Sequence, residues 1–404
     1  MPALSERTRT LEPSRTIAMN QRARDLAASG LDIADLSVGE PDFHPPENVR
    51  AAAARAIAEG ADRYTPVAGY PELREAVSRK LLRENGLSYP ASQVMVSCGA
   101  KSCLSNAVQA LVGPGDEAII PVPAWSTYAE IVKLAGGIPV LVPTTAAEGY
   151  KLRPEALAAA LTPRTRLLIL CTPSNPTGAV FTRPELEALA AVLERAPETW
   201  VLSDEVYERI RYVPEVPSPA SIPALADRCV TVNGLSKSHA MTGWRIGFLA
   251  GPRPLVDACV ALQGQTTTCA SSISQKASLA ALETDPAVID AFVAAFARRR
   301  ERGSAALRSI PGVGLPDPDG AFYFFPDLSS YFGLPWKGRR IASSDDLALF
   351  LLEEARAAFV PGSAFGSGAE GCVRISFAAA DGVIDAALGR TKTALEALRA
   401  GAYA

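Results

Sequence analysis

The sequence predicts an α/β fold: a mostly parallel seven-stranded sheet with helices on both faces, joined to a smaller α+β domain. Three observations lead there. Short runs rich in valine, isoleucine and leucine alternate with longer stretches rich in alanine, leucine and glutamate, the βαβα rhythm of a parallel sheet. A chain of 404 residues is too long for one small core, so two domains are expected. The alternation also breaks after about Ala281, where a long helical stretch replaces it.

The segment from Met1 to Arg15 is polar and carries both charge signs, unlike a secretory leader. Strands are predicted at Gln93–Ser97, Glu117–Ile120, Ile138–Val142, Arg166–Leu170, Trp200–Ser203, Cys229–Val232 and Arg245–Ala250. Helices fall at Lys101–Val112, Ser126–Leu134, Pro154–Ala160 and Arg183–Arg195. Gly113-Pro114-Gly115-Asp116 stops one helix, and Thr182-Arg183-Pro184-Glu185 opens another with a capping hydroxyl and a proline near its first turn. Past the break, a helix over Pro286–Leu307 is followed by a strand at Ala321–Phe325, a helix at Ser343–Ala355, a strand at Val373–Phe377 and a last helix over Asp381–Leu398. The expected division is a large domain over 47–284 and a small one made of 1–46 with 285–404.

Composition narrows the function classes. A net charge of −3 gives no general attraction for nucleic acid or an anionic membrane surface. No apolar run approaches the roughly 18 residues that a membrane span requires. The basic cluster Arg298-Arg299-Arg300 with Arg302 reads as a solvated helix face. Seven cysteines, an odd number without a Cys-x-x-Cys pair, argue against a disulfide framework and a zinc cluster and favour reduced thiols in a cytoplasmic setting. With only His44 and His239, a histidine-rich metal site is excluded; no metal is expected.

The chemistry concentrates in Gly234-Leu235-Ser236-Lys237-Ser238-His239-Ala240-Met241-Thr242-Gly243-Trp244-Arg245. A lysine and an arginine eight residues apart, among glycines and hydroxyls, suit a Schiff base to a phosphorylated aldehyde, with the second cation holding the phosphate. Pyridoxal phosphate needs that amine, an acid beside its ring nitrogen, donors to its phenolic oxygen and a phosphate cup. Asp204 closes an apolar strand at the end where α/β sheets bind ligands, and Tyr207 follows it. Asn175 sits between prolines in Thr172-Pro173-Ser174-Asn175-Pro176-Thr177-Gly178, again just after a strand. Ser97-Cys98-Gly99-Ala100-Lys101-Ser102 joins a strand to a helix start, where backbone N–H groups suit a phosphate. Trp125 follows another strand end and is placed to stack on a ring. Singly each has a structural reading as a cap, a turn or a core residue; together at strand ends they point to one site.

With these residues the chain resembles the class I/II aminotransferases of fold type I, most like the bacterial aspartate aminotransferase subgroup. The resemblance also covers Ser37-Val38-Gly39-Glu40-Pro41-Asp42-Phe43, Arg63-Tyr64-Thr65-Pro66, Val360-Pro361-Gly362 and Val373-Arg374-Ile375-Ser376-Phe377. It implies pyridoxal phosphate on Lys237, with Asp204 at the ring nitrogen and Tyr207 and Asn175 at the phenolic oxygen. Ser236, Arg245 and the Ala100-Lys101 turn would hold the phosphate, joined by Tyr64 of a neighbouring subunit in a homodimer. Arg374 would grip the substrate α-carboxylate with Asn175 and the backbone at Gly39, and Trp125 would cover the ring. Lys101, with Ser14 and Thr16, would meet a distal carboxylate, making aspartate or glutamate and a 2-oxo acid the expected substrates. Glu12, acidic where prephenate-accepting relatives tend to be basic, argues against prephenate. Cys98, Ser102 and Cys103 around the phosphate turn, and Phe377 where tyrosine is common, depart from the pattern. Another amino donor, aromatic or specialised, and elimination or replacement chemistry on the same cofactor stay open. A regulator's effector domain would need an added DNA-binding segment, and this chain has no spare basic domain before Ser37; a hydrolase would need a Gly-x-Ser-x-Gly elbow near a usable histidine, which the sequence lacks.

Overall fold

The computed structural model describes residues 4–13 and 15–403. Seven strands form the main sheet: β1 (Val94–Ser97), β2 (Glu117–Val122), β3 (Ile138–Pro143), β4 (Thr165–Cys171), β5 (Trp200–Asp204), β6 (Cys229–Gly234) and β7 (Gly247–Ala250). Their order is β1-β7-β6-β5-β4-β2-β3. The run β6-β5-β4-β2-β3 is parallel, and β7 pairs antiparallel with both β6 and β1. All seven predicted strands are present. The last begins at Gly247 instead of Arg245 because Arg245 takes a left-handed backbone, φ 51°, which no extended ladder accommodates.

Both faces are covered because the central strands are apolar on both sides. Leu168, Leu170 and Val201 face one core, while Leu167, Ile169 and Leu202 face the other, the period-two alternation of a pleated strand. One face is covered by helices that include Glu47–Ala58, Pro71–Asn85, Arg183–Leu193 and Ser272–Leu282; the other by Ala100–Leu111, Thr127–Leu134 and Arg253–Thr266. The predicted cap at Thr182 is a full capping box with Glu185.

A second core gathers Phe296, Phe322, Phe324, Tyr331, Trp336, Phe350, Phe359 and Phe377 around a three-stranded antiparallel sheet. Its strands are β8 (Tyr323–Phe324), β9 (Val360–Pro361) and β10 (Val373–Ser376), in the order β9-β10-β8. Helices Pro286–Arg308, Ser344–Glu354 and Asp381–Arg399 surround it. β8 is shorter than the predicted strand because Ala321 is left-handed, φ 57°. Ala34–Asp35 pairs in parallel with Ala357–Ala358, and Ala34 and Leu36 enter this core.

The basic cluster is a solvated face only in part: Arg298 and Arg302 are exposed, but Arg299 turns inward. Arg299 is only 8% exposed, chelates Asp42 with both terminal nitrogens and reaches Asp381 through Nε at 2.7 Å. Arg300 donates to the Pro318 carbonyl. The helix turns Arg299 inward, and Asp42 and Asp381, distant in sequence, supply the counter-charge that makes its burial tolerable. No helix among the described residues is long and apolar enough to cross a membrane.

Candidate active site

The carboxyl ends of the parallel strands converge on a cavity of about 260 Å³. β5 delivers Asp204 and the turn carrying Tyr207; β4 leads into the Asn175 loop; β6 runs out into Ser236 and Lys237. β1 ends at Ser97, and Gly99 caps the start of helix Ala100–Leu111. From the second core, β10 supplies Arg374 and the N-terminal segment supplies Gly39 and Thr16. Trp125, Lys101 and Arg245 complete the predicted residues on its wall.

Two predicted residues are not on that wall. Tyr64 is 88% exposed and lies away from the cavity. Ser14 lies outside the described residues. Tyr128, Val206, Thr242 and Tyr323 line the cavity without having been singled out from sequence. Tyr128 had a signal: three residues after Trp125 at a helix start, it shares that face, and the two rings meet edge-on at 5.6 Å. Tyr323 was hidden in the aromatic run Phe322-Tyr323-Phe324-Phe325, which reads as core.

Lys237 Nζ donates to the Gly39 carbonyl at 2.8 Å. Desolvation pulls its amine down to about 8; Glu40 and Asp204 oppose this, while Arg374 and Arg245 push the same way. A neutral, nucleophilic fraction of about a tenth to a fifth is therefore present near physiological pH, far more than in an ordinary lysine. Asp204 is buried, accepts from the Tyr128 hydroxyl at 2.7 Å and from the Val206 N–H at 3.3 Å, and has its pKa raised by burial. A carboxylate so desolvated favours a cation or a strong N–H donor beside it.

Arg374 is 2% exposed and has no carboxylate partner among the described residues. Its terminal nitrogens donate to Asn175 Oδ1 at 2.9 Å and to the Ser37 carbonyl at 2.7 Å, and its Nε is buried without an acceptor. A buried guanidinium held only by neutral acceptors, with a donor to spare, suits a carboxylate.

The phosphate cup depends on close backbone approach. A Cβ on Gly99 (φ 89°) would overlap the Arg245 guanidinium, and one on Gly247 would overlap the backbone nitrogen of Ala100. The N–H groups of Ala100 and Lys101, at the start of their helix, have no backbone acceptor among the described residues. Lys101 is exposed as a whole, but its amine lies 4.6 Å from the centre of the Trp125 ring. Burial pulls that amine's pKa down, with Arg245 adding to the effect.

Backbone N–H groups at a helix start, a desolvated carboxylate, a lysine of lowered pKa and a buried guanidinium share one wall. The family model for class I and II aminotransferases matches residues 32–390. The chain belongs to the class I and II aminotransferases. It is 46% identical over 393 residues to the aspartate/prephenate aminotransferase of Cereibacter sphaeroides, covering 96% of this chain and 98% of that one. It is also 46% identical to a bifunctional aspartate aminotransferase and glutamate/aspartate-prephenate aminotransferase of Petunia hybrida, over 98% of this chain and 84% of that one. The solved aspartate aminotransferase of Rhizobium meliloti superposes with a TM-score of 0.94 at 41% identity, covering 98% of this chain and 99% of the other. That of Thermus thermophilus with maleate superposes at 0.90 with 40% identity, over 98% and 100%.

This aminotransferase is a pyridoxal phosphate enzyme, and its residues fit that cofactor. Lys237 offers the amine, Asp204 the acid for a ring nitrogen, and the Gly99 turn with Arg245 a dianion cup. The unusual cysteines leave this intact: Cys103 is fully buried with its thiol pushed well up by desolvation, and the Cys98 thiol faces the Cys269 carbonyl. Phe377 is buried in the second core against Phe324.

Proposed function

We propose that this aminotransferase exchanges the amino group of aspartate or glutamate with a 2-oxo acid in two half-reactions, and that it works as a homodimer in the cytoplasm. Residues 47–284 form the cofactor-binding domain, and 1–46 with 285–404 the smaller one. The observation that carries the reading is a single cavity holding both the near-neutral Lys237 and the buried, carboxylate-free Arg374.

Pyridoxal phosphate, when bound, supplies an aldehyde that condenses with amines and a ring that takes up the electron pair left at the amino acid's Cα. The protein's residues do the rest. Ser236, Arg245 and the N–H groups of Ala100 and Lys101 hold the phosphate, with Tyr64 of the second subunit closing the cup. Asp204 keeps a proton on the ring nitrogen, Tyr207 and Asn175 donate to the phenolic oxygen, and Trp125 covers the ring. Arg374, braced by Asn175, fixes the α-carboxylate, which sets the Cα–H bond towards Lys237. Lys237 would anchor the cofactor's aldehyde at rest and, once freed by the incoming amino acid, would serve as the base that takes the Cα proton and as the acid that gives it back two atoms away, a 1,3-proton shift. The amino group held by the cofactor between the two half-reactions would pass to a second 2-oxo acid, with the same residues acting in the reverse order.

Lys101, over the Trp125 ring and on the same cavity wall as Thr16, is the cation for a distal carboxylate. The names of the relatives and the dicarboxylate maleate in the Thermus structure support this assignment. Mixing the cofactor-loaded enzyme with single amino acids in a stopped-flow spectrophotometer tests it. Aspartate and glutamate should bleach the cofactor band, and oxaloacetate or 2-oxoglutarate should restore it. Conversion by aromatic or aliphatic amino acids alone would refute the acidic assignment and leave the aminotransferase standing; pyruvate with ammonia would indicate elimination instead. Prephenate belongs in the acceptor panel because two relatives carry it in their names. The exposed Glu12 carboxylate, an expectation against prephenate, is judged by the same assay.

A further inference from the structure

Tyr323 reaches the site from β8, whose partner strand β10 carries Arg374. It is 1% exposed, and its hydroxyl lies 2.9 Å from the Tyr207 hydroxyl. The Arg374 guanidinium sits 4.5 Å from the centre of its ring. A Cβ on Gly39 would overlap the Tyr323 oxygen, so the glycine is what lets the hydroxyl reach Tyr207. One buried oxygen thus touches the phenol expected at the cofactor, the backbone that accepts from Lys237, and the strand pair holding the carboxylate receptor.

Two hydroxyls in contact share one hydrogen and leave the other to be used elsewhere. If Tyr207 donated to Tyr323, the Tyr323 hydrogen would need a further acceptor, and no other hydrogen bond of that hydroxyl occurs among the described residues. If Tyr323 donates to Tyr207, the remaining hydrogen belongs to Tyr207, which lines the cavity. An acceptor oxygen in the cavity then completes a chain in which every hydroxyl is satisfied, and each donor polarises the next.

We propose that Tyr323 is a positioning residue for the aminotransferase reaction: its hydroxyl donates to the Tyr207 oxygen and so commits the Tyr207 proton to the cofactor's phenolic oxygen. The inference rests on the reading of Tyr207 as the donor to that oxygen. Tyr207 otherwise faces Cys171 and Arg374, and Tyr323 faces the same two groups. Replacing either hydroxyl by hydrogen leaves both in place. In Tyr323→Phe the ring remains under Arg374 and the strand pairing is unchanged, so the variant removes a hydrogen bond and little else.

The readout is the pH midpoint of the visible absorbance of the cofactor-loaded protein without substrate, measured for wild type, Tyr207→Phe, Tyr323→Phe and the double variant. A donor at the phenolic oxygen favours its ionised form, so Tyr207→Phe should raise the midpoint. Tyr323→Phe should raise it less, on the order of half a pH unit for one lost hydrogen bond. In the Tyr207→Phe background it should add nothing. A midpoint unchanged by Tyr323→Phe but raised by Tyr207→Phe overturns the relay and leaves the Tyr207 assignment standing. An equal effect of Tyr323→Phe in both backgrounds also overturns it. No response to Tyr207→Phe removes the underlying reading and the relay with it.

Discussion

Truncating Arg374 is the sharpest test of how the substrate is held. The guanidinium is buried, neutral acceptors hold two of its nitrogens, and its Nε has no partner. A substrate carboxylate bound there takes up to two charge-assisted hydrogen bonds, each worth about 1.5–3 kcal/mol. Arg374→Ala should therefore lower kcat/KM by about 3–6 kcal/mol, on the order of 10²–10⁴-fold. Saturation with the amino acid should be lost while cofactor affinity changes little, because the cup at Gly99, Ala100 and Arg245 comes from other elements. Arg374→Lys should recover only part of the loss, since an ammonium keeps the charge without the fork. Single-turnover absorbance over a wide amino acid range separates these terms, and equilibrium dialysis of the cofactor supplies the control. Parallel loss of cofactor and amino acid binding would refute the argument and make Arg374 a structural strut.

Lys237→Ala should abolish turnover and the visible absorbance of the bound cofactor while leaving a folded protein; retained turnover would remove the lysine from the mechanism. In protein freed of cofactor, the rate of cofactor capture should rise about tenfold per pH unit up to about 8 and then level off, because only the neutral amine attacks. A plateau appearing only near the ordinary lysine range would show that the amine is not desolvated. Asp204→Asn should cripple turnover yet make the cofactor-free protein more resistant to heat at neutral pH. The folded-state pKa of Asp204 is raised, so its ionised form costs stability above the unfolded value, and the difference should shrink as pH falls through the raised pKa; a destabilised variant at neutral pH contradicts this. Gly99→Ala should weaken cofactor binding by about 1–3 kcal/mol, some five- to 150-fold, through overpacking against Arg245 and a left-handed alanine. Unchanged affinity would place the phosphate elsewhere.

The sheet was legible because its strands are apolar on both faces and each is followed by turn or helix-start chemistry, as at Gly99 and Thr182. The strand ends misjudged from sequence, Arg245 and Ala321, adopt left-handed backbones, which non-glycine residues rarely announce. The site residues recognised from sequence carry charge or lie in short motifs, so their chemistry shows through their type. Tyr128 and Tyr323 were missed because a buried tyrosine looks the same whether it packs or directs a proton; only the contacts with Asp204 and Tyr207 separate the roles. Arg299 failed the other way, since its counter-ions come from Asp42 and Asp381 and no local window contains them.

Charge ties these features together. The cavity wall carries Lys101, Lys237, Arg245 and Arg374 against the single carboxylate of Asp204, within a chain whose net charge is −3. That imbalance marks a site built to receive anions. In the proposed function Arg245 is answered by a phosphate, Arg374 by an α-carboxylate and Lys101 by a further negative group. The same field acts on Lys237: the two arginines add to desolvation in lowering its amine's pKa, while Glu40 and Asp204 limit the fall. Substrate binding changes that balance, because an α-carboxylate on Arg374 cancels one of the cations that depress the amine. Lys237 thereby becomes a better proton acceptor when the Cα proton is presented, so the group that recognises the substrate also tunes the group that deprotonates it.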